Sequence, residues 1–217
     1  MERALSTVCR EPVALEVAGR TDAGVHALAQ VASYDGPPVS AHRLGGLLPR
    51  DVSAVAAERR PEGWSARHDA TSRAYCYRVL SRGAPAPLER QRELWWRRQI
   101  DRGAMRACAE ALPGRHDFRA FTPADTTHTR FDRMVLSAHL EEDGDRLTLW
   151  VEADSFVRHM NRVLVGTMLE VAGGLRTVDS FVGLLRGAPR ASAGPTAPPH
   201  GLYLVGVGYE DERVLPA

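Results

Sequence analysis

The 217-residue chain reads as an α+β protein with mainly antiparallel sheets, on three observations. The run Arg-Ala-Tyr-Cys-Tyr-Arg-Val-Leu from Arg73 is strongly β-prone, with Tyr75 and Tyr77 on one face and Cys76 on the other. Residues 131–140 and 146–154 alternate polar and apolar and are joined by Glu-Glu-Asp-Gly-Asp, the pattern of a hairpin. Residues 156–172 repeat with helical spacing, through Phe156, Met160, Val163, Leu164, Thr167, Met168 and Val171, until Gly173-Gly174 stops them.

The other elements follow in order. Ala4, Leu5 and Val8 predict a helix over residues 2–9, with no capping residue ahead of it. Residues 13–18 predict a strand that runs into the loop Ala18-Gly19-Arg20-Thr21-Asp22-Ala23-Gly24-Val25-His26-Ala27. A second strand is expected over 27–35, ended by Gly36-Pro37-Pro38, then a helix over 40–48 and a strand over 52–59. After the Arg73 strand come a short strand near Glu93–Arg98 and a helix over 101–112, started by Asp101 and stopped by Pro113-Gly114. A helix over 178–186, a Pro/Gly-rich loop over 187–201 and a strand over 202–209 complete the chain. Two subdomains are expected, residues 1–70 with the glycine-framed loop and residues 71–217.

Composition excludes more than it reveals. Hydrophobic residues at 44% and charged residues at 25% are those of an ordinary globular protein. No apolar run has the length of a membrane span, and the first five residues lack the apolar core of a signal peptide, so a cytoplasmic location is expected. Cys9, Cys76 and Cys108 are odd in number and far apart, which suits reduced thiols rather than a disulfide framework or zinc site. Net charge is +1, yet all 28 basic residues are arginine, whose planar fork grips phosphate and stacks on bases. A genome-wide bias toward arginine produces the same pattern.

Three places could carry chemistry. A carboxylate at Asp22, ionised at neutral pH, could attack an electrophilic carbon if a cation kept it charged away from water, or it could simply cap an exposed turn. Arg158 and Arg162, four residues apart on the expected helix, share a face that could meet a phosphate and a carboxylate together, or face solvent. Tyr75 could stack on a base or pack in the core. His116 and Asp117 invite a metal reading, but no ligand spacing supports it, and Phe118 and Phe121 packing around a turn is the better account. No Walker loop, GxGxxG or GxSxG is present.

Six blocks, taken in order, resemble the TruA-type tRNA pseudouridine synthases: AGRTDAGVHALAQV, LLPRDV, WSARHDATSRAYCYRV, LPGRHDFRAF, EADSFVRHMNRVLVGTMLEVAGG and PPHGLYLVGVGY. The resemblance spans nearly the whole chain and implies two subdomains meeting at a central RNA-binding cleft. It implies an isomerisation of uridine to pseudouridine without cofactor or metal, in the anticodon stem-loop of tRNA at about positions 38 to 40, by a homodimer. Asp22 matches the catalytic aspartate, Tyr75 the tyrosine that stacks on the uracil, and Arg162 the basic partner of the aspartate. Arg20 matches the loop arginine that holds or replaces the flipped base, and Arg158 and His26 are the further expected RNA contacts.

Two departures stand out. Family members normally carry a strand and helix start, with a YDG…GWQ stretch, ahead of the point where this chain begins; its absence implies a start set too late or a shortened paralogue. Asn161 and Val163 flank Arg162 where the family favours valine before and asparagine after, which alters the expected hydrogen bonds around it. The competing expectations are therefore an active synthase and a tRNA-binding or tRNA-folding relative that does not catalyse. A metal-dependent hydrolase using Asp22 lacks any accompanying ligand cluster.

Overall fold

The structure, a computed structural model, describes residues 1–216. Its elements are α1 Glu2–Cys9, β1 Glu16–Val17, β2 His26–Ala27, β3 Ala32–Ser33, α2 Ala41–Gly45, β4 Ala70–Ser81, β5 Leu94–Trp96, α3 Arg102–Glu110, β6 Gly114–Asp117, β7 Asp132–Asp143, β8 Arg146–Ala153, α4 Met160–Ala172, α5 Val178–Leu184 and β9 Leu202–Tyr209. The mixture is α+β with mostly antiparallel pairing. No helix among the described residues is long and apolar enough to cross a membrane.

Contacts divide the chain into two units. The first holds Met1–Arg20 and Gln30–Ala70; the second holds Thr21–Ala29 and everything from Thr71 onward, so the segment bearing Asp22 is grouped with the second. In the first unit, β1 and β3 pair antiparallel with Glu16 opposite Ser33. Ala4, Leu5, Val39 and Leu44 form its small core, joined by Val8, Val13, Leu15 and Tyr34. No side chain caps α1, but the Glu2 carboxylate accepts the Leu15 amide at 3.0 Å and ties the helix to the following segment.

In the second unit seven strands form one sheet in the order β2-β9-β4-β8-β7-β6, with β5 parallel to the end of β4. Strands β4 and β8 set Tyr75 opposite Val151, Tyr77 opposite Leu149 and Val79 opposite Leu147. All six side chains join one core with α3, α4 and α5, because a strand sends alternate residues to one face. Strands β7 and β8 form the expected hairpin, tightened by Gly144 at φ 56. Helix α3 is capped as its sequence predicts, with the Asp101 carboxylate accepting the Ala104 amide at 2.9 Å. The Thr177 hydroxyl accepts the Ser180 amide at 3.1 Å and caps α5 in the same way.

Helix α4 is the axis of this unit. It is buried from Met160 through Leu169 except at Arg162, which is half-buried. The 187–201 loop lies along it. Ala197 donates its amide to the Arg162 carbonyl at 3.0 Å, and Gly194 donates to the Thr167 hydroxyl at 3.0 Å. Gly166 makes the approach possible, since a Cβ there would stand 1.9 Å from the Pro195 carbonyl oxygen.

Five expectations need correction. The strand over 13–18 shrinks to Glu16–Val17, and the strand over 27–35 divides into β2, which pairs with β9, and β3, which pairs with β1. Residues 53–60 carry no regular structure; Val55 there is 87% exposed, so the β-prone residues find no sheet to pack on. Helix α4 begins at Met160, not residue 156, because His159 adopts a left-handed conformation at φ 63 and turns the chain. Strand β6 was not expected at all; it pairs with β7 from Gly114↔Val135 to Asp117↔Asp132.

Candidate active site

The Asp22 segment is shaped by its own turn. Val25 donates its amide to the Asp22 carbonyl at 3.0 Å, and Gly24 follows at φ 83. An added Cβ on Gly24 would meet Pro199 Cγ at 2.9 Å, so glycine is needed there for both backbone angle and space.

The first turn of α4 brings Arg162 to this segment. Arg162 Nη1 donates to Asp22 Oδ2 at 2.7 Å, across 140 residues of sequence, while its Nε donates to the Ala197 carbonyl at 2.8 Å. The fork is thus aimed by one partner and charged against the other. Its side chain is 14% exposed and that of Asp22 is 30% exposed, so the pair is shielded from bulk water without being sealed.

His159, immediately before the helix, places Nε2 3.3 Å from the same Asp22 oxygen. Burial lowers its pKa, the Asp22 charge opposes that shift, and Arg162 and Arg158 add to it. Burial thus favours the neutral form of the ring beside the carboxylate. Among the described residues nothing hydrogen-bonds Oδ1 of Asp22.

Tyr75 is 8% exposed on β4 and meets the edge of Phe156 with ring centroids 4.9 Å apart and planes at 76°. Burial pushes its phenol up to about 12, with Arg73 opposing and the Asp22 charge adding to the rise. The hydroxyl stays protonated at neutral pH, within the electrostatic reach of Asp22.

The other expected residues have surroundings of their own. Arg20 is exposed and is grouped with the first unit. Arg158 precedes α4, so it does not share a helix face with Arg162; it is exposed and pairs with Asp125 at 3.5 Å. His26 sits on β2, stacked on Tyr203 at 4.6 Å, with Nε2 2.8 Å from the Gln91 carbonyl. Phe118 and Phe121 are fully buried, and Asp117 accepts the Arg119 amide at 2.8 Å. Among the described residues no three His, Cys, Asp or Glu side chains converge as a metal site. Cys76 and Cys108 are buried, with thiols pushed up by burial to about 11 and about 12.

His159 and Phe156 were not anticipated in the site. The available signal was the string Val157-Arg158-His159-Met160-Asn161-Arg162, in which the histidine stands one turn ahead of the arginine.

A family model described as tRNA pseudouridine synthase matches residues 108–210, the stretch that contains His159 and Arg162. The whole chain is 42% identical to the tRNA pseudouridine synthase A of Thermus thermophilus and covers 88% of that protein. Similarity to the proteins of the same name from Caulobacter vibrioides and Myxococcus xanthus runs over 97% of the chain, at 38% and 40% identity, covering 88% and 82% of those proteins.

Proposed function

The chain belongs to the tRNA pseudouridine synthase family, and from that premise we propose that it isomerises uridine to pseudouridine in tRNA through the carboxylate of Asp22. The observation that carries this reading is the shielded Asp22–Arg162 pair at 2.7 Å, with Tyr75 within electrostatic reach. The reaction breaks the bond from ribose to the uracil nitrogen and forms a bond from the same ribose carbon to C5; C5 gives up a proton and the nitrogen gains one. Substrate and product contain the same atoms, so no redox carrier or co-substrate is consumed.

A uridine inside a stem must first leave its stack, at a cost of a few kcal/mol. Tyr75 offers the face on which the everted uracil stacks. Asp22 acts on the nucleotide as nucleophile or base. Arg162 supplies the opposite charge beside it when the nucleotide displaces water, and so offsets the cost of desolvation. Arg20 holds or replaces the flipped base, and Arg158 and His26 contact the RNA elsewhere. The uridines acted on are those at about positions 38 to 40 of the anticodon stem-loop. The enzyme works as a homodimer in the cytoplasm.

The test incubates the purified chain with unmodified tRNA and maps pseudouridine. Product from the wild type and none from Asp22→Ala is the expected outcome. Tight tRNA binding without product from the wild type would replace this reading with a non-catalytic tRNA-binding role.

A further inference from the structure

The Asp22 carboxylate is held on one side only. Arg162 and His159 both approach Oδ2, at 2.7 and 3.3 Å, from opposite sides of the point where α4 begins. A carboxylate with a single donor turns easily about its terminal torsion, which is broad and roughly two-fold, and exchanges its oxygens. A second polar group anchored at a different backbone position, here His159 Nε2 at 3.3 Å, restricts that freedom. The left-handed turn at His159, φ 63, lies between the buried Val157 and Met160, and it brings the ring to Asp22 rather than onto the face of the helix.

On the reading proposed above, we propose that His159 is a positioning residue of the reaction: its Nε2–H and the Arg162 Nη1–H together fix Oδ2 of Asp22, so that Oδ1 is the oxygen presented to the nucleotide. The charged groups that face the imidazole are Asp22, Arg162, Arg158 and Asp125. The neutral form that burial favours matters for the same reason. A protonated ring would add a second cation to the carboxylate and draw down its reactivity toward the nucleotide.

The experiment compares three substitutions in single-turnover pseudouridine formation and in tRNA affinity. A glutamine amide nitrogen reaches the place of Nε2, whereas an asparagine amide reaches only that of Nδ1 but suits the left-handed backbone. His159→Ala and His159→Asn should each slow turnover about tenfold, the effect of losing one hydrogen bond to a charged group, with tRNA affinity unchanged. His159→Gln should stay within about threefold of the wild type and, having no titrating ring, should carry its acid limb to lower pH. Thermal melts of the four proteins identify any variant that fails to fold. Unchanged turnover in His159→Ala, a His159→Gln as slow as the alanine variant, an acid limb that does not move, or a loss confined to tRNA affinity would each overturn the proposal. Absence of product from the wild type would overturn the proposed reaction as well, and so separates the two failures.

Discussion

Arg162 divides its guanidinium between a carbonyl that orients it and a carboxylate that needs its charge. Truncation to alanine removes both bonds and leaves Asp22 without its arginine. Turnover should fall about a hundredfold, in keeping with loss of a partly desolvated charge pair. Affinity for tRNA should change less than about threefold, because the RNA is gripped mostly through other contacts. Arg162→Lys should fall between, since an ammonium cannot serve the two partners with a planar fork. Single-turnover rates beside tRNA titrations decide this, and an unchanged rate would remove Arg162 from the site. At this scale the sequence showed residue types but not partners. Nothing local links positions 22 and 162, and only resemblance to a family joined them. His159 escaped notice because helical periodicity extended α4 back to Phe156, which made Arg158 the apparent companion of Arg162. Phe156 is apolar because it packs on Tyr75, not because it lies on the helix.

Among the elements, α4 and the loop across it form the mount for the site. The loop supplies the Ala197 carbonyl that aims Arg162, and its seat depends on the missing side chain of Gly166. Alanine is the better helix former by about 1 kcal/mol. Here that gain should be outweighed, because the new Cβ would collide with the Pro195 carbonyl, and backbone does not yield as a flexible side chain does. Overpacking of this kind costs up to about 3 kcal/mol, so Gly166→Ala should lose about 2 kcal/mol net and should slow turnover. Urea denaturation of the two proteins checks the sign; an equally stable variant would mean that the loop is free to shift. Elements with one strong period were legible: β4, the β7–β8 hairpin, and α3 with its Asp101 cap. The split between β2 and β3 was not, since Ala27–Asp35 reads as one uninterrupted strand up to Gly36-Pro37-Pro38, whereas Ala27 pairs with β9 and Ala32–Ser33 with β1, partners that no local pattern specifies.

For the molecule as a whole, the buried carboxylate of Glu152 ties the last residues to the sheet. Glu152 is fully buried on β8, accepts the Ser72 hydroxyl at 2.6 Å and the Val214 and Leu215 amides at 3.0 Å each, and forms an ion pair with Arg213 Nε at 3.3 Å. Gly206 and Gly208 leave room for the returning chain, where side chains would strike Val214 and the Glu212 carbonyl. Neither composition nor net charge hinted at this anchor, because a glutamate in an alternating strand reads as solvent-facing. Burial alone would raise its pKa; the hydrogen bonds and the Arg213 charge outweigh burial and lower it below the ordinary 4.5. A depressed folded-state pKa means that the unfolded chain takes up the proton first. The carboxylate's contribution is therefore complete above about pH 4.5 and is lost as pH falls through the lower folded value. Glu152→Gln keeps the shape, but its amide end donates where the donors need an acceptor, so it should lose about 2 kcal/mol at pH 7. It should also lose less on acidification than the wild type does, because the titrating group is gone. Urea melts of both proteins at pH 7 and at successively lower pH test the two parts together, and parallel curves for the two proteins would show that Glu152 is not the acid-sensitive anchor of this end of the chain.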